Sequence, residues 1–152
     1  MPFENYADNN LDCCREMLLH PNTVPGLGDG GAHVGTICDA SFTTTLLTHW
    51  GRDRTRGELI DLPTLVKRQT RDTARAVDLH DRGTLETGMK ADVNVIDFEH
   101  LRICAPEIVH DLPAGGARLE QKAEGFLYTV VSGEVTYERG RATDALPGRL
   151  IR

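Results

Sequence analysis

Apolar positions recur at helical intervals through the first half of the chain and at strand-like intervals through the second. Leu11, Cys14 and Leu18 fall at i, i+3 and i+7, with Met17 beside them, and predict a helix over residues 11–20. Asp8, Asn9 and Asn10 offer capping side chains before it, and Pro21 and Asn22 stop it. The short apolar run Thr23-Val24-Pro25 predicts a strand over residues 23–27, so the order is helix, loop, strand. Phe42, Leu46, Leu47 and Trp50 mark a second helix within residues 37–50, with Asp39 or Ser41 as its cap. Their bland role is packing. Asp61-Leu62-Pro63 opens a third helix, because proline is tolerated in a first turn. Leu62, Leu65, Val66, Ala74 and Val77 give its face down to about residue 79, and His80 then sits at its C-terminal end.

From Gly83 onward the pattern changes to strands and turns, beginning with Thr84-Leu85-Glu86. Val93, Val95 and Ile96 form the most strand-like run of the chain, bracketed by Asp92 and Asp97 as turn and strand-end hydrogen-bonding groups. Residues 105–125, with Pro106, Pro113 and Gly115-Gly116, read as a long irregular connection. Residues 127–131 and 134–137, joined by Ser132-Gly133, predict a hairpin. The change of pattern divides the chain into residues 1–79 and 80–152.

Composition narrows the class. A net charge of -6 disfavours nucleic acid and anionic membranes as partners. No apolar window is long enough to span a bilayer, and the N-terminus lacks a signal-peptide pattern, so a cytoplasmic location is expected. Cys13, Cys14, Cys38 and Cys104 show no C-x-x-C spacing and read as free thiols in a reducing compartment. The six histidines are scattered singly, with no H-x-H and no H-E-x-x-H.

The chemistry concentrates in Gly26-Leu27-Gly28-Asp29-Gly30-Gly31-Ala32-His33-Val34-Gly35. Glycine this dense marks a backbone that turns sharply or approaches something closely. Asp29 is predicted at a strand end, where parallel α/β folds place their chemistry, and His33 lies just past the turn. A turn-forming Asp in a solvated loop is the local alternative. Gly26, Gly28 and Gly31 also spell G-x-G-x-x-G, but Asp29 would put negative charge inside an anion cradle, and Pro25 removes a donor from the lead-in strand. Arg52, Arg54 and Arg56 form a short basic run, read either as a solvated loop or as a grip for a substrate carboxylate.

The run Gly28-Asp29-Gly30-Gly31-Ala32-His33-Val34-Gly35, then Ile37-Cys38-Asp39-Ala40-Ser41 and Leu46-Leu47-Thr48-His49-Trp50, resembles the last-strand motif of the amidohydrolase superfamily. The narrower likeness is to the N-acyl-D-amino-acid deacylase (D-aminoacylase) branch, with Gly28 where a serine is common. Gly-Met-Lys-Ala-Asp at 88–92 resembles the return from barrel to small β-domain, and Asp111-Leu112-Pro113-Ala114-Gly115-Gly116 a run near the barrel mouth. The resemblance implies an α/β fold: the C-terminal end of a metal-dependent (β/α)8 barrel, its last helices and strand, followed by part of a small β-sandwich domain. It casts Asp29 as the catalytic carboxylate, touching a metal through bound water. His33 takes a supporting or oxyanion-stabilising part, and Arg52 a substrate contact. Zinc is the implied metal, with its other ligands on barrel strands outside this sequence. The implied partners are the remainder of the barrel and a small acylated amino acid or related amide. The isolated chain is then expected to be inactive. A free-standing module used in assembly or interaction is the alternative from another class.

Overall fold

The computed structural model describes residues 10–26 and 28–151. Helix α1 spans Asp12–Leu19, and Asn10 Oδ1 accepts the Asp12 N–H at 2.9 Å. Asp8 and Asn9, the other capping candidates, lie outside the described residues. Leu11, Cys14 and Leu18 turn toward the core as the sequence spacing predicts, joined by Leu19, whereas Met17 is exposed. The last carbonyls of this helix are not left to water. Arg68 donates to the carbonyls of Leu19 at 2.7 Å, His20 at 2.9 Å and Thr23 at 2.5 Å. One guanidinium thereby closes a helix end that has no intrahelical donors of its own.

The second predicted helix is broken into three geometries: a 3-10 turn at Asp39–Ser41, α2 at Phe42–Thr48 and a π-helical turn at His49–Asp53. Neither predicted cap works as one. Ser41 occupies the capping position without a side-chain bond, and the Asp39 carboxylate reaches elsewhere. The third helix begins as its sequence requires. Asp61 Oδ2 accepts the Thr64 N–H at 2.9 Å, and Pro63 lies in the first turn of α3, Leu62–Lys67. A second π turn, Arg68–Asp72, leads to α4, Thr73–Ala76. The helix stops short of residue 79 because Asp78 turns to a positive φ of 59°. His80 is therefore an exposed loop residue, not a helix terminus.

All strands of the described residues lie from residue 93 onward, and all their pairings are antiparallel. They are β1 (Val93–Ile96), β2 (Arg102–Ile103), β3 (Glu107–Leu112), β4 (Gly116–Glu120), β5 (Ala123–Glu124), β6 (Phe126–Val131), β7 (Glu134–Glu138) and β8 (Arg141–Ala142). One sheet has the order β1-β6-β7-β8, and β2-β5 and β3-β4 are two-stranded ribbons. The β6–β7 turn is the predicted one, with Ser132 at φ 53° and Gly133 at φ 86°, matching a type I′ hairpin. Asp92 and Asp97 take the predicted local roles, accepting the N–H of Ser132 and of His100.

Three expectations are corrected. Residues 23–26 belong to no strand or ladder, and residue 27 lies outside the described residues. A parallel barrel strand takes its stability from neighbours on both edges, and the described residues supply none for this segment. Residues 84–86 form no strand. The stretch expected to be an irregular connection instead folds as the β3–β4 hairpin, with Glu107 opposite Glu120 and Ile108 opposite Leu119.

The core crosses the composition boundary. Leu46, Leu47, Trp50, Ile60 and Leu65 come from the helical part and Leu101 from the strand-rich part, with Ile96, Phe98 and Phe126 packed against them. Leu65 is 1% exposed and Leu101 0%. Burying a leucine so completely contributes about 1.5–3 kcal/mol, so these two side chains fix how helices and strands meet.

Candidate active site

The glycine-rich loop is held by its neighbours, not by a ladder. Asp29 donates its backbone N–H to Asp39 Oδ2 at 3.0 Å, and its carbonyl accepts the Ala32 N–H at 3.0 Å. The loop then lies so close to the 3-10 turn that a Cβ on residue 30 would stand 2.9 Å from both the Cβ and the backbone nitrogen of Ala40. Glycine is required there by contact with backbone, which cannot step aside. Further along, the Val34 carbonyl accepts the Leu119 N–H at 2.7 Å, which docks the loop on strand β4. Ser41 donates to Gln121 Oε1, and Gln121 Nε2 donates to the Cys104 carbonyl at 3.1 Å. The strand-rich half therefore braces the loop at two points.

The carboxylate of Asp29 is exposed and makes no hydrogen bond or ion pair among the described residues. His33 is also exposed. Its backbone carbonyl accepts the N–H groups of Thr36 at 2.8 Å and Ile37 at 2.9 Å, which sets the second turn of the loop. No hydrogen bond joins the side chains of Asp29 and His33 among the described residues; they share a loop, not a contact.

Arg52 is placed elsewhere. Its guanidinium donates to the carbonyls of Phe98, Glu99 at 3.0 Å and Leu101 at 2.7 Å, and forks onto Asp53 at 2.6 and 3.0 Å. Phe98 lies beneath it at 5.4 Å. Asp53 is held below the usual carboxylate range by the Arg52 hydrogen bonds. In this arrangement Arg52 ties the first π turn to the chain after β1. Arg54 is committed in the same way, to Asp12, the Arg56 carbonyl and the Glu58 carbonyl.

A cavity of about 450 Å³ adjoins the loop, with Leu18, Phe42, Leu46 and Trp50 as apolar walls and Asp39 and Gln121 among its polar lining. Asp29 is not part of that lining. Among the described residues, no three His, Cys, Asp or Glu side chains cluster as a metal ligand set. All four cysteines are free thiols. The described residues therefore offer no ligand set for a zinc ion.

Asp39 and Gln121 are the residues that sequence reasoning missed. Asp39 looks like an ordinary helix cap, and its true partner lies ten positions back in a loop without periodicity. Nothing local marks Gln121 at all.

Short helices packed against small antiparallel sheets, with a glycine-rich loop that presents one exposed carboxylate, define the class: a mixed α/β protein. The particular family follows from comparison with known proteins. The amidohydrolase family matches residues 4–137 of the 152, and the chain belongs to it. No solved structure matches the fold. No helix among the described residues is long and apolar enough to cross a membrane.

Proposed function

We propose that the chain supplies the last-strand end of an amidohydrolase barrel and that Asp29 is its proton-transfer residue. The substrate class is an N-acylated amino acid, of the D series by resemblance, or a related linear amide. The observation that supports this most directly is the state of Asp29: its backbone is pinned by Asp39, while its carboxylate stays exposed and unpartnered among the described residues. A carboxylate that serves as a cap or turn acceptor takes a neighbouring backbone N–H. Asp61, Asp92 and Asp97 are examples in this same chain.

Amide hydrolysis needs a base that takes a proton from water and an acid that returns it to the departing nitrogen. One carboxylate fixed at its Cα does both in turn. The glycines around Asp29 leave its approach open to water and substrate. His33, four residues on, is the candidate for stabilising charge on the reacting carbonyl oxygen. A zinc ion, implied by resemblance, would have to take its ligands from other barrel strands, and no step is routed through it.

The test compares the chain alone with the polypeptide that completes the barrel, each supplied with zinc and assayed on a panel of N-acyl amino acids. Turnover is expected only in the completed enzyme. There Asp29→Asn should lower kcat by roughly 10²–10⁴ with KM little moved and metal content unchanged. Near-normal kcat in a fully metallated Asp29→Asn enzyme overturns the assignment.

A further inference from the structure

We propose that Asp39 is a positioning residue for Asp29, and that the bare Cα of Gly28 leaves the Asp39 carboxylate room to reach the Asp29 amide. The proposal rests on the reading of Asp29 as the catalytic carboxylate. A carboxylate on an unpaired loop can be presented accurately only if something fixes its own backbone. Here the one bond to the Asp29 N–H comes from Asp39 Oδ2, at 3.0 Å and across ten residues. An ionised acceptor makes such a bond roughly twice as strong as a neutral pair.

The geometry is specific in two further respects. A Cβ built on Gly28 would stand 2.6 Å from Asp39 Oδ2 and 2.9 Å from its Cγ, so any side chain there must push the carboxylate away from the Asp29 amide. Asp39 has no competing employment, since no α2 amide takes its carboxylate and no cation pairs with it among the described residues. The short 3-10 turn that carries it ends at Ser41, which is fastened through Gln121 to the Cys104 carbonyl. The bond to Asp29 is thus anchored in the strand-rich half.

The experiment is nuclear magnetic resonance on the full, isotope-labelled chain. The first signature is a scalar coupling through the hydrogen bond between the Asp29 amide nitrogen and the Asp39 side-chain carboxyl carbon, which reports the bond. In the completed enzyme Asp39→Ala should also lower kcat roughly tenfold with KM little moved, and Asp39→Asn should restore most of it, a split that a purely structural Asp39 would not give. Gly28→Ala should abolish the coupling although Asp39 is intact. Asp39→Ala should speed exchange of the Asp29 amide roughly tenfold, and Asp39→Asn, which keeps an acceptor oxygen, should restore most of the protection. Amides of the Thr129–Tyr137 pair in the β6–β7 ladder report whether a variant is still folded. If Asp39→Ala loosens those as well, a folded Gly28→Ala variant carries the kcat comparison, and an unchanged kcat in a variant that lacks the coupling overturns the positioning role. Absence of that coupling overturns the proposal while leaving the Asp29 assay untouched. A clear coupling together with a fully active Asp29→Asn enzyme would instead sink the catalytic reading and, with it, the positioning role.

Discussion

Arg54 and Asp12 meet across forty-two residues of sequence, the guanidinium almost wholly buried and the carboxylate half in water. The same guanidinium lies over the Trp50 ring at 4.8 Å and donates to the carbonyls of Arg56 and Glu58. The pair is therefore lopsided. Removing the arginine strips three partners and a ring face, whereas removing the aspartate leaves most of the arginine's bonds in place.

Arg54→Ala should accordingly cost roughly 3–5 kcal/mol, from three hydrogen bonds of about 1 kcal/mol each and a cation–π contact of about 0.5–2 kcal/mol. Asp12→Asn should cost under about 1 kcal/mol, in line with an exposed partner. Urea titration of both variants checks the order. Equal losses would show that the ion pair itself, and not the burial of Arg54, is what matters.

Arg52 separates two roles cleanly. With its donors on Phe98, Glu99 and Leu101, Arg52→Lys keeps the charge but loses the fork, and should lower the urea midpoint. In a completed enzyme its KM should stay within a few-fold of the unmodified protein. A large rise in KM at unchanged stability would make Arg52 a substrate contact after all.

His49 gives the fold a pH dependence of definite sign. Burial lowers its pKa, the nearby Arg54 lowers it further, and Asp53 opposes them; its Nε2 is buried without a partner. The neutral ring is what the fold accepts. As pH falls below the ordinary histidine value of about 6.5, the unfolded chain takes up the proton first, so stability declines through that range. His49→Gln should flatten this part of the curve in acid-to-neutral urea titrations. An unchanged slope would assign it to another histidine.

Asp61 behaves in the opposite sense. The Thr64 N–H holds its carboxyl below the usual range, so its stabilisation is complete above that range and is lost as pH falls through the lowered value. Protection of the Thr64 amide should follow the same course. Asp61→Ala should remove both the protection and its pH dependence; a Thr64 amide that remains protected in that variant would rule out the cap.

These elements also show which parts of the fold are legible in the sequence itself. The Asp61 cap, strand β1 and the Ser132-Gly133 hairpin are local events, written in adjacent residues. The β3–β4 hairpin is not. It carries charge where an alternating strand would be apolar, with Glu107 facing Glu120 and Arg118 forked onto Asp111 at 2.8 and 2.7 Å. Pro113 and Gly115, which look like breakers, form its tip, where Ala114 and Gly115 turn at φ 59° and 74°. The two π turns insert a residue without altering hydrophobic spacing enough to be seen. At the candidate site, the surrounding glycines single out Asp29 in the sequence. Asp39 stayed hidden because a bond between a loop amide and a carboxylate ten residues away obeys no period.

The burial of Leu101 among helix residues has a practical consequence for anyone dividing this polypeptide. The shift in composition near residue 80 looks like a place to cut, yet the most deeply enclosed side chain on the C-terminal side is seated against Leu46, Leu47, Trp50, Ile60 and Leu65 on the other. A scissor there would hand each product half of one interior. Fusion tags, protease sites and split reporters belong at the exposed tail near Leu146 and Leu150, where the chain encloses nothing.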